Sequence, residues 1–221
     1  MSLTSAINPQ VGNLTGGRDT LSADLGNYFV AVNPTPGTGI IGTASLQSFD
    51  ETKGILCVFN SGTKNIYPMS LKTHVTVVGA TAPTIAVYWT HTLDNGNRLT
   101  SGGTALTVSC TNMGSLTASG AVITAGALTT TAATGLRRLV GNPTGKSTVL
   151  EVVNDATYFN YGGSDLPSYS STVGNTTTPT YISHNMAPLV IGPGMSMVVV
   201  RWAAAQTTAS TNEFEFAYIE K

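Results

Sequence analysis

The segment Gly141-Asn-Pro-Thr-Gly145-Lys146-Ser147-Thr148 is where the residue types come nearest to a defined chemistry, that of a loop cradling phosphates with the pattern GxxxxGK[ST]. The spacing departs from the pattern. Three residues separate Gly141 from Gly145, so Val140 stands where the first glycine is needed. A phosphate loop must also run into a helix whose first amides hold the anion, whereas TVLEVV (148–153) reads as a strand. Pro143 and Gly145 make a hairpin connection the better account. Asp94-Asn95-Gly96-Asn97 offers oxygens to a cation but lacks the alternating acids and closing Glu of a calcium loop. Asn95-Gly96 after a hydrophobic run is instead a hairpin signal, because both central residues of a type I′ turn need positive φ.

His74, His91 and His184 are far apart, and no acid or nucleophile stands at a spacing that pairs with any of them. GxSxG is absent, and the 11 carboxylates include no pair that suggests acid/base work. Some of them are expected to meet Arg98, Arg137, Arg138 or Arg201 at subunit contacts. Cys57 and Cys110 lie in the apolar runs ILCVF and LTVSC without CxxC or Cys/His spacing, so buried free thiols are expected. These residues predict no catalytic group, no cofactor and no metal site: the chain reads as something other than an enzyme.

The elements that carry these residues read as strands. From residue 26 onward, short β-branched and aromatic runs alternate with Gly, Pro, Asn and Asp: YFVAV (28–32), ILCVFN (55–60), HVTVVGA (74–80), TIAVYWT (84–90), ALTVSC (105–110), STVLEVV (147–153), PLVIG (188–192), MSMVVVRWAA (195–204) and FEFAYIE (214–220). Turn signals at this spacing predict an all-β, antiparallel β-sandwich or barrel as a single domain over 26–221. In the last run Phe214, Phe216 and Tyr218 face one way and Glu213, Glu215 and Ala217 the other. MSMVVVRW is apolar almost without a break, the mark of a strand buried on both faces in the middle of a sheet. One- or two-turn helices are expected at most around 44–49 and 134–139. Residues 101–134, rich in Thr, Ala, Gly and Ser, read as poorly packed strands or an elaborated loop, and 162–185 as a long loop that meets a partner. Residues 1–25 read as an extended N-terminal arm.

Charged residues make up 10% of the chain, against about 25% in an ordinary domain. Small uncharged side chains replace them, and such a surface suits close subunit packing without stranded charge. A net charge of −1 supplies no footprint for nucleic acid. No apolar run approaches the length of a membrane span, and MSLTSAINPQ has no signal-peptide pattern, so synthesis in a cytoplasm and no membrane partner are expected. Aromatic residues mark the expected interface: Trp89 and Trp202 for packing between copies, and Tyr161, Tyr169 and Tyr181 for loop contacts or sugar stacking.

Three stretches, GILCVFNSGTKNIYPMSLKTHVTVVGA (54–80), NGNRLTSGGTALTVSCTN (95–112) and PLVIGPGMSMVVVRWAAAQTTASTNEFEFAYIE (188–220), resemble the small capsid cement, or decoration, proteins of tailed bacteriophages. The resemblance implies a jelly-roll domain, a homotrimer, the major capsid protein as partner and a place on the capsid exterior of a virion. The competing readings are a jelly-roll major or minor capsid protein and a receptor- or glycan-binding β-sandwich of a viral fibre.

Overall fold

The computed structural model describes residues 14–43, 48–79, 87–134, 137–140, 151–162, 181–203 and 208–221. The two-residue alternation of the sequence becomes two sheets whose inner faces share one core. Sheet I runs in the order β11 (Tyr181–Met186), β10 (Ala156–Tyr161), β4 (Ile66–Val77), β13 (Thr211–Glu220), β1 (Tyr28–Val32), β7 (Thr107–Cys110), with the short β2 (Ile40–Ile41) also on β13. Sheet II runs in the order β6 (Leu99–Ala105), β8 (Ala121–Thr130), β3 (Leu56–Asn60), β12 (Met195–Trp202), β5 (Tyr88–Asn95), β9 (Arg137–Val140). Phe29, Leu71, Phe159 and Phe216 from sheet I meet Leu56, Val58, Trp89, Met197 and Val199 from sheet II in a single apolar cluster. Burying such side chains supplies about 1.5–3 kcal/mol apiece.

The central position of β12 follows from its composition. Met197 and Val199 point into the shared core, while Val198 and Val200 join Cys57 and Leu128 in a second cluster on the other face, against which Phe49, Leu99 and Trp202 pack. In β13 the alternation holds: Phe214, Phe216 and Tyr218 enter the core and Glu213 and Glu215 stay on the outer face. One continuous stretch, β6 into β7, passes from the edge of sheet II to the edge of sheet I at the buried Leu106. Gly102 (φ 86°) and Gly103 (φ 74°) bulge β6 there, a device that discourages further strands from adding to an edge. Both cysteines are free thiols, Cys57 buried and Cys110 partly so.

Several expectations are corrected. The N-terminal segment is not an extended arm throughout: α1 (Leu14–Asp24) is a helix, and residues 1–13 lie outside the described residues. Its C-terminus explains why it forms. Gly26 takes φ 69°, its amide donates to the Ala23 carbonyl at 2.9 Å, and that of Asn27 donates to Ser22 at 2.9 Å, the paired bonds of a Schellman cap. Residues 137–140 form strand β9, because pairing with β5 overrides a helical turn too short to stand alone. The helix expected at 44–49 falls largely outside the described residues, as do the hairpin at 141–148 and most of the loop at 162–185. The end of that loop is β11, which runs parallel to β10, so the sheets are not wholly antiparallel. Asn95-Gly96 does turn, with Gly96 at φ 80°, but β12 and not β6 is the neighbour of β5, so the turn closes no hairpin. Within 101–134, β8 is well packed through Ile123, Ala125 and Leu128.

Candidate functional site

The expected interface residues divide between interior and surface. Trp89 (2% exposed) and Tyr161 (5%) lie inside the shared core and present no surface, since each sits on the inward phase of its strand. That corrects their assignment to a contact face. Trp202 is partly buried on the outer face of sheet II, stacked on Tyr88 with ring centroids 4.2 Å apart. Tyr181 is exposed on β11, and Tyr169 lies outside the described residues. Arg98 and Arg201 are also spent within the chain. Arg201 engages Glu151, and Arg98 faces Glu51 at 3.6 Å while donating to Thr92 Oγ1 and the Thr131 carbonyl. All four of these charged side chains are at most 10% exposed, which corrects the expectation of subunit contacts for both arginines.

The outer face of sheet I gathers charged groups that lie far apart in the sequence. The register of β4 with β13 sets Lys72 opposite Glu215 and His74 opposite Glu213, and the register of β4 with β10 sets Tyr158 beside Lys72. Tyr181 ends the row that contains His74 and Glu213, through Ala156. The Lys72 ammonium lies 5.7 Å from the Tyr158 ring centre. His74 Nδ1 is 3.5 Å from Glu213 Oε2, and its Nε2 is 3.0 Å from Asn154 Oδ1. The other oxygen of Glu213 accepts the Gly37 amide at 2.6 Å. This fixes the segment 33–38, where Pro36 and Gly37 (φ 76°) form the centre of a turn closed by the Thr38 amide on the Thr35 carbonyl. Asn33 completes the seat by accepting the Phe214 amide at 2.9 Å.

The result is a groove of 260 Å³ walled by Val32, Asn33, Pro36, Lys72, His74, Glu213, Phe214 and Glu215. Ligand pockets commonly measure about 300–1,000 Å³. A histidine beside a carboxylate has the form of a general base and its orienting group. Here both ring nitrogens are already engaged, and the groove presents mixed charge from Lys72, His74, Glu213 and Glu215.

A second hydroxyl–carboxylate arrangement is structural. Ser119 Oγ is 2.6 Å from the Tyr218 hydroxyl, donates to Glu220 Oε1 at 2.5 Å and accepts the Ala121 amide at 2.9 Å. Its lone pairs are taken, and the contacts tie the 111–120 loop to β13. Burial pushes the Tyr218 hydroxyl well above its ordinary range. Among the described residues no three His, Cys, Asp or Glu side chains are grouped to hold a metal ion. No described helix is long and apolar enough to cross a membrane.

Beyond the groove, the end of sheet I carries an apolar cap. The Asn112 amide donates to the Asp24 carbonyl at 2.8 Å, which brings the 111–120 loop against the end of α1. Leu21 (54% exposed) and Leu25 (62%) on that helix segment stand with Met113 (99%) and Leu116 (102%) on the loop. Exposed large apolar side chains on two segments that a hydrogen bond holds together make this end of sheet I a candidate contact site. Sequence reading missed both features. The complementary i, i+2 pairs Lys72/His74 and Glu213/Glu215 were the available signal for the groove, since outward residues of neighbouring strands pair across a sheet. Comparison with protein-family models, curated proteins and solved structures found no match to this chain.

Proposed function

We propose that this protein is a structural virion component of the cement or decoration type, which binds the outside of a head shell as a symmetric oligomer and does no chemistry. Its partners in this reading are further copies of itself, as a homotrimer, and the major capsid protein of the same particle, after synthesis in the host cytoplasm. The observation that carries it is the apolar cap. Met113 and Leu116 are fully exposed, more so than any other large apolar side chain among the described residues. Symmetry supplies a copy of the same patch to cover them, and many such weak contacts lock a shell by avidity. The jelly-roll winding implied by the sequence resemblance belongs to the same proposal; the passage of residues 99–110 from one sheet edge to the other supports it.

Solution mass by light scattering across a concentration series tests the reading. A concentration-independent trimer is expected for the natural chain, with monomers for the double variant Met113→Asp/Leu116→Asp at unchanged thermal stability. Closed particles of megadalton mass would make this the shell protein itself. A monomer at every concentration would remove the self-contact argument and favour a glycan-binding fibre module. The exposed Tyr181 ring, on the same outer row as His74 and Glu213, is the observation that favours that second reading. Loss of binding to a glycan panel by Tyr181→Ala would establish it.

A further inference from the structure

Where β5 faces β10 and β11, the shared core holds polar groups that have no hydrogen-bond partner among the described residues. His91 on β5 is 0% exposed, and neither of its ring nitrogens has a hydrogen-bond partner. Its ring meets Phe159 edge-on at 4.8 Å and Tyr161 at 5.8 Å, both from the opposite sheet. His184 on β11 is also buried, stacks on Phe159 at 5.2 Å and leaves Nε2 without a partner. The Tyr161 hydroxyl and Trp89 Nε1 are unsatisfied beside them. At least about 90% of buried polar groups in folded proteins are hydrogen-bonded. Several orphans around one phenyl ring therefore make this seam costly to hold and sensitive to any added charge.

We propose that His91 and His184 form an acid-sensitive latch between the two sheets. Uncharged, they complete an aromatic stack around Phe159; charged, they sit in a partnerless interior and drive β5 away from β10 and β11. Among the described residues no carboxylate pairs with either ring. Tyr161 comes from β10, and burial holds its hydroxyl protonated far above the ordinary range. On β12, Val199 lies opposite His91, and Arg201, 5.8 Å over the Trp89 ring, is engaged with Glu151. On β9, Leu139 holds the register position opposite His91, and Arg137 and Arg138 are the charged residues of that strand. Burial lowers both imidazoles, that of His91 to about 3 with His184 adding to the effect.

The sign follows by linkage. The unfolded chain takes up protons near pH 6.5 and the folded chain only near 3 for His91, so the stability is fully present above pH 6.5 and is lost as pH falls through that window. For His91 alone, going from about pH 7.5 to about pH 4.5 lowers the folding constant about a hundredfold.

Urea unfolding at these two pH values tests the latch, comparing the natural chain with His91→Phe/His184→Phe, which keeps the rings and removes the titration. The natural chain should lose about a hundredfold more in folding constant than the variant; equal losses would overturn the proposal. Imidazole nitrogen NMR on the natural chain at pH 5.5 serves where the variant fails to fold. A neutral ring is expected at His91, and a doubly protonated His91 in the folded protein would overturn it. Hydrogen exchange at pH 4.5 locates the opening. Faster exchange confined to β5, β10 and β11 is the expected result, and uniform acceleration that includes β1 and β7 would remove the seam.

Discussion

Sheet I and sheet II share one core and finish their outer faces by opposite means. Sheet II covers its second face with apolar side chains, Val198, Val200, Cys57 and Leu128 beneath Leu99, Phe49 and Trp202, and the cations it admits there are buried and engaged, as Arg98 is. Burial pushes the Cys57 thiol up to about 11 against the lowering pull of the Arg98 charge. Sheet I leaves Lys72, His74, Glu213 and Glu215 beside a groove, and contacts that water could replace hold the 33–38 segment over it. The middle of sheet II, around β12, is buried on both faces, while its edge strand β6 is exposed, and on the proposed reading sheet I, with the exposed loop and helix residues at its end, is the contact face.

Placing the same charge on the two outer faces is the strongest way to break this comparison. Val198→Lys puts an ammonium into the second cluster near the buried Arg98 guanidinium, and about 5 kcal/mol of destabilisation is expected, comparable to the whole stability of many domains. Val32→Lys, at 36% exposure and opposite Glu215, should change stability by no more than about 0.5 kcal/mol. Urea midpoints for the two variants decide the matter. If both unfold, sheet I is as closed as sheet II and the groove is no contact surface.

Removing a cation from each face is the next step down. Arg98→Ala takes the cation from Glu51 and the donors from the Thr92 hydroxyl and the Thr131 carbonyl, and loss of one member of a buried pair costs about 3–5 kcal/mol. Lys72→Ala loses a half-exposed contact with Tyr158, worth about 0.5–1 kcal/mol. The two values come from the same denaturation curves, and values within about 1 kcal/mol of each other would erase the distinction between the faces.

What the sequence made legible was whatever depends on near neighbours. The unbroken MSMVVVRW run identified β12 as central, and the alternation in NEFEFAY oriented β13, because each pattern reports burial of the strand that carries it. Long-range pairing leaves no such mark. Asn95-Gly96 has hairpin residues, yet β12, a hundred residues later in the chain, takes the place beside β5. Helix α1 was illegible for a different reason: LTGGRDTLSAD holds two glycines and no apolar stripe, so its support is the Schellman cap and its packing against β1. The groove pairs β4 residues with β13 residues some 140 positions away. His91 and His74 look alike in sequence, each between threonine and β-branched neighbours, and only the assembled sheets put one in a partnerless core and the other between Glu213 and Asn154.

The smallest expected effect is also the one that most sharpens the contrast. Glu213→Ala removes an acceptor that serves the Gly37 amide and the His74 ring together. The carboxylate is 29% exposed, and contacts of that kind contribute up to about 1 kcal/mol, so global unfolding should scarcely move. The local consequence is larger, because the Gly37 amide has no other acceptor in the turn that Thr35 and Thr38 close. Amide exchange at Gly37 should accelerate at least about tenfold, the factor that 1.4 kcal/mol of lost local protection represents, while exchange at Val199 in β12 stays unchanged. A freed 33–38 segment in an otherwise intact fold is what a face held by replaceable contacts requires. If Gly37 keeps its protection, the Asn33 bonds to Thr38 and Phe214 hold the segment without the ion, and the groove is a rigid part of sheet I with its charges as decoration.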